Sequence, residues 1–147
     1  MAIIHLETRI RAPIARVFDL ARDIDFHKRS MAHTGERAVA GCTSGLIELG
    51  QEVEWEARHF GLSLRLRTRI TRMEPPFLFV DEQVKGAFSS IVHRHEFAED
   101  RESTQMTDHW VHVAPLGFMV DPLFLTGYMT RLLQARNLAL KAEAEAP

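Results

Sequence analysis

The spacing of apolar residues changes along the chain, and the change divides it into elements. From Asp121 to about Glu143, Leu125, Tyr128, Met129, Leu132 and Leu133 recur at three- and four-residue steps, and Ala139 and Leu140 continue the stripe. Asp121 is a favourable N-cap, and Pro122 suits the first helical position, where a missing N–H costs nothing. Arg131, Gln134, Arg136 and Lys141 are assigned to the remaining surface, which makes the segment amphipathic rather than membrane-spanning. At 1.5 Å per residue such a helix runs roughly 30–35 Å, longer than one strand can cover. It needs a whole sheet to lie on. The tail from Lys141 to Pro147 is expected to fray.

The rest of the sequence supplies that sheet. Ile3 to Arg11 alternates as a first strand, with Ile4, Leu6, Thr8 and Ile10 on one face. Pro13 then opens a short helix with Ile14, Val17, Phe18 and Ala21 on its apolar side, and a second short helix is expected from Asp25 to about Ala32. Beyond Gly35 the period becomes two. Glu36 to Ala40 reads as a strand. Gln51 to His59 places Glu52, Glu54, Glu56 and Arg58 on one face and Val53, Trp55, Ala57 and His59 on the other. After the Phe60-Gly61 turn, Leu62, Leu64, Leu66, Thr68 and Ile70 point inward while Arg65, Arg67 and Arg69 point out. A hairpin there sets an acidic row against a basic row and marks the outer face as solvated. Met73 to Pro76 is a turn, Leu78 to Val84 a strand, and Phe88 to Ala98 and Gln105 to Ala114 the last two strands. One apolar and one polar face throughout imply an antiparallel sheet wetted on one side.

The pattern breaks in the last hairpin. Ile91, His93, His95 and Phe97 share the inward face; pairing Phe97 with Met106 brings His95 beside Asp108, His93 beside Trp110 and Ile91 beside His112. Three imidazoles and a carboxylate then occupy a face that should be greasy. Glu82 is placed with them from the neighbouring strand, although Asp81 and Gln83 take that face if the strand has the opposite parity. Three readings compete: a satisfied buried His–Asp pair, groups lining a cavity that hold a ligand's polar end, and a metal site of the His-x-His-plus-carboxylate kind. No cysteine or His-Glu-x-x-His motif supports the third, and neither metal nor cofactor is expected. No nucleophile-elbow sequence surrounds Ser89-Ser90, and Gly41 to Gly45 lacks the spacing and lysine of a phosphate loop. His59 is placed at the rim of the hairpin turn. Met31, Met106, Met119 and Met129 read as deformable lining.

Composition narrows the class. The chain has 147 residues, 26% charged and 46% hydrophobic, with a net charge of -2, so one globular domain over residues 1–147 is expected. Both signs are interspersed, which argues against nucleic acid as a partner and against stable membrane insertion. Cys42 is the only cysteine, so no intrachain disulfide forms and a cytoplasmic setting is expected.

Strand, two short helices, six strands and a long final helix is the order of the START-like (SRPBCC) superfamily, and the chain resembles a bacterial polyketide cyclase/dehydrase-like subgroup of it. The resemblance rests on Arg58-His59-Phe60-Gly61, Asp81-Glu82, Gly86-Ala87-Phe88, His93-x-His95-x-Phe97 and Thr104-x-Met106-x-Asp108, and continues through Pro115-Leu116-Gly117, Asp121, Leu123-Phe124-Leu125, Tyr128-Met129, Leu132-Leu133 and Arg136-Asn137. It implies an α+β helix-grip fold, in which a curved antiparallel sheet of about seven strands wraps the C-terminal helix and leaves a cavity. The expected partner is a small hydrophobic molecule. Its body would contact Trp55, Leu64, Leu66, Trp110, Met129 and Leu132, and its polar group His93, His95, Asp108, His112 and Glu82. Entry is expected between the second short helix and the loops near Gly86 and Gly117. A cyclase- or aromatase-like enzyme using the cavity His and Asp is the alternative, and a homodimer is left open.

Overall fold

The computed structural model describes residues 1–115 and 121–147. Seven strands form one antiparallel sheet: β1 (Ala2–Ile10), β2 (Arg37–Gly41), β3 (Glu52–His59), β4 (Leu62–Glu74), β5 (Leu78–Lys85), β6 (Ser90–Asp100) and β7 (Ser103–Val113). Their order is β1-β7-β6-β5-β4-β3-β2, so β2 to β7 run as successive hairpins while β1 and β2 occupy opposite edges. The chain crosses between those edges through α1 (Ile14–Ala21), α2 (Ile24–Ser30) and a short 3-10 turn (Ala32–Thr34). The final helix, α3 (Pro122–Glu145), lies on the inner face.

The register on the solvated side follows from charge and pleat. Glu52 pairs with Arg69, Glu54 with Arg67 and Glu56 with Arg65, and ion pairs link the two rows. The matching inner faces carry Val53, Trp55 and Ala57 against Thr68, Leu66 and Leu64. At its far end β4 continues to Glu74, further than the Met73 turn expected from sequence, because the break falls on Pro75-Pro76.

α3 is held differently at its two ends. Its C-terminal half drives Leu140 and Ala144 into the main core with Ile10, Ile14, Val17, Phe18, Phe79 and Phe97. The last turn does not fray. Arg16 Nε and Nη2 donate to the Ala144 and Glu143 carbonyls at 3.0 and 2.9 Å, satisfying acceptors that a helix end leaves free. Lys141 Nζ donates to the Arg9 carbonyl at 2.9 Å, and Glu145 accepts from the Arg11 N–H at 2.9 Å. At the other end Asp121 Oδ1 accepts from the Leu123 and Phe124 amides at 2.9 and 3.1 Å. Between these anchors a smaller cluster of Ile4, Ile91, Trp110 and Leu133 covers only part of the sheet. The space left there is the cavity. No described helix is long and apolar enough to cross a membrane.

Candidate functional site

The register of β5, β6 and β7 assembles a polar cluster on the inner face. Asp81 is paired with His93, His93 with Trp110, and His95 with Asp108; residues paired across neighbouring strands project to the same side. The carboxylates can only accept, so the imidazoles donate: His93 Nε2 to Asp108 Oδ1 at 2.7 Å and His95 Nε2 to Asp81 Oδ2 at 2.9 Å. From above, α3 contributes Asn137, whose Nδ2 donates to Asp108 Oδ2 at 2.7 Å, and Arg136, whose Nη2 lies 3.5 Å from His95 Nδ1. His95 stacks on Phe79 with ring centroids 4.0 Å apart, and on its other side the His93 ring is 3.7 Å away.

Burial and charge set the protonation of this cluster. Burial alone would raise the Asp108 carboxyl, but the His93 hydrogen bond and the positive charge of Arg136 hold it well below the usual carboxylate range. In Asp81, burial is likewise outweighed by the His95 hydrogen bond, and its pKa falls. Burial, with the neighbouring His93, pushes the His95 imidazole down to about 4. His95 is therefore neutral near pH 7, with its proton on Nε2 toward Asp81 and a lone pair on Nδ1 toward Arg136.

Two adjoining chambers open beside the cluster. The inner one, about 180 Å³, is walled by Asp81, His93, His95 and Arg136 on one side and by Trp55, Leu66, Trp110, Met129 and Leu132 on the other. The outer one, about 230 Å³, shares those five apolar residues and adds Ala57, Leu64, Phe88, Ile91 and Leu125. Together they fall near the lower end of the ~300–1,000 Å³ typical of small-molecule sites. His27 and Glu36, joined at 2.7 Å, flank the inner chamber. His59 and Tyr128, joined at 2.6 Å, tie the β3–β4 turn to α3 beside the outer one; burial lowers the pKa of that His59.

Most residues singled out from sequence take part, though not all in the role expected. Trp55, Leu64, Leu66, His93, His95, Trp110, Met129 and Leu132 line the chambers. Asp108 does not; it is 0% exposed and lies behind His93, orienting that ring. His112 lines neither chamber, because Trp110 separates it from the cluster: the indole Nε1 donates to His112 Nδ1 at 2.8 Å, with Phe88 packed against the same imidazole. Glu82 is paired with Val92 and Arg69 on the outer face, and Asp81 occupies the inner position instead. Gly117, placed at the mouth from sequence, and Met119, placed in the lining, lie outside the described residues.

Arg136, expected on the helix surface, is buried, as is Asn137. The signal for both is present in the sequence: they lie three and four residues after Leu133 and four and three before Leu140, on the apolar stripe itself. Side-chain atoms of Asp81, His93 and His95 lie within 4.8 Å of one another, as a bound cation would require. The positive charge of Arg136, whose Nη2 lies 3.5 Å from His95 Nδ1, opposes a cation there.

Comparison with protein-family models finds no match, and comparison with curated proteins finds none either. Solved structures do share the architecture. The Zhui aromatase/cyclase from Streptomyces sp. R1128 is 16% identical, with 98% of this chain and 93% of that one covered at a TM-score of 0.79. A START superfamily protein from Mycobacterium smegmatis is 12% identical with 97% of each chain covered, TM-score 0.74. A protein from Thermus thermophilus is 17% identical over 97% of this chain and 99% of that one, TM-score 0.73. The fold of the chain is the START-like, or SRPBCC, helix-grip fold.

Proposed function

We propose that residues 1–147 act as one binding unit for a small, mostly apolar molecule held between the sheet and α3. The observation that carries this reading is the continuity of an apolar chamber with a buried polar floor. The ligand's body lies against Trp55, Leu66, Trp110 and Met129, and its polar end meets Asp81, His93, His95 and Arg136. Burying ~300 Å² of ligand surface at about 25 cal/mol per Å² gives several kcal/mol before ordering costs. Native mass spectrometry of the purified protein, before and after addition of the neutral apolar dye N-phenyl-1-naphthylamine, tests it. A retained small molecule or a one-to-one dye complex is expected; neither appearing rejects the reading.

A second reading, an acid–base enzyme of the cyclase type, draws on one observation. His93 faces the chamber and is oriented at 2.7 Å by a carboxylate, the arrangement of a general base. A ligand that leaves the protein chemically altered supports the enzyme, and one recovered intact supports the carrier.

A further inference from the structure

Two groups of the cluster have incomplete hydrogen bonding: Asn137, whose Oδ1 is enclosed without a partner, and Arg136. Arg136 is 6% exposed and faces the inner chamber. Among the described residues it forms no ion pair, and its one polar contact is the 3.5 Å approach of Nη2 to His95 Nδ1. A guanidinium carries five N–H donors, and those of Arg136 without a protein partner open onto the chamber rather than being sealed in. The two carboxylates nearby are already engaged, Asp81 by His95 and Asp108 by His93 and Asn137. Resting on the binding reading above, we infer that the inner chamber takes the carboxylate head of an amphiphilic acid, anchored by Arg136, with the apolar body in the outer chamber. A carboxylate matches the planar fork of a guanidinium with two acceptor oxygens. An amide or alcohol head offers fewer acceptors and leaves N–H groups unpaired.

The charges of the cluster add a second requirement. The groups facing the head are Asp81 from β5, His93 and His95 from β6 and Arg136 from α3, with Arg22, Asp23, His27, Glu36 and His59 bordering the rest of the chamber; Asp108 and Asn137 stand behind and do not line it. A third anion is opposed by Asp81 and Asp108, so the charge of Arg136 is what allows a carboxylate head to sit there.

The test is displacement of N-phenyl-1-naphthylamine at pH 7 by decanoate and by decanamide, from the wild-type protein, Arg136→Met and Arg136→Lys. Decanoate is expected to act at a concentration at least tenfold lower than decanamide on the wild type. The preference should vanish in Arg136→Met and survive in part in Arg136→Lys. Equal potency of acid and amide on the wild type, or a preference that persists in Arg136→Met, overturns the inference while leaving the apolar cavity intact. Failure of the dye and both decyl compounds to bind rejects the cavity reading itself.

Discussion

Replacing His95 with Gln should change how the fold responds to acid. A glutamine amide can still donate to Asp81 but cannot take up a proton in the accessible range. In the wild type the His95 imidazole titrates at about 4 instead of its ordinary 6.5. Between those values the unfolded chain binds a proton that the native protein refuses, so stability rises with pH across the window and is lost as pH falls through it. The shift corresponds to about 3 kcal/mol in full, of which about 2 kcal/mol disappears between pH 7 and pH 5. The depressed Asp81 and Asp108 carboxyls act in the same sense but lower, as pH falls below the unfolded carboxylate value. His59 and His112, lowered by burial, are common to both proteins and cancel in the difference. Urea unfolding followed by tryptophan fluorescence at pH 7, 6 and 5 provides the measurement. Wild type should lose about 2 kcal/mol more than His95→Gln from pH 7 to pH 5. Parallel losses would refute the account of a buried, neutral His95.

Two further substitutions probe the supports of the site. Asn137→Ala strips Asp108 Oδ2 of its 2.7 Å donor inside the protein and should cost about 1–3 kcal/mol in urea unfolding, with near-wild-type stability as the contrary result. Glu82→Gln, on the outer face, should leave dye affinity within about twofold, since a surface change remote from the cavity has little to act on; a large drop would show that this strand faces the other way.

What the sequence disclosed about the site depended on parity and on charge. The β6–β7 pairing was legible because Phe97 and Met106 must both face inward, and once they are opposed the other pairs follow; the observed register has His95 on Asp108, His93 on Trp110 and Ile91 on His112. The β3–β4 ladder was legible for a related reason, its acidic and basic rows being complementary. On β5 the alternation was weaker, with Asp81 and Glu82 adjacent, and irregular register against β4 between Ile70 and Arg72 breaks simple counting along the sheet. Only the observed pairing with His93 selects Asp81. Arg136 and Asn137 were concealed by a sound prior, that charged and amide side chains on helices face water. Spacing pointed inward and chemistry outward, and a conflict of that kind tends to fall at functional positions. His112 shows the opposite failure. Its position on the inner face was right, but the bulk of Trp110 between it and His93 could not be weighed without coordinates.

The central claim is that the sheet and α3 enclose a hollow able to admit a ligand. Leu66 borders both chambers and is paired across the strands with Trp55, so Leu66→Trp should fill the space between them without displacing the main core. Titration with N-phenyl-1-naphthylamine, monitored by dye fluorescence, tests this directly. Saturable one-to-one binding by the wild type and its loss in Leu66→Trp, with an unchanged far-ultraviolet circular dichroism spectrum, is the predicted result. A dye that fails to bind the wild type, or that binds both proteins equally, would contradict the account.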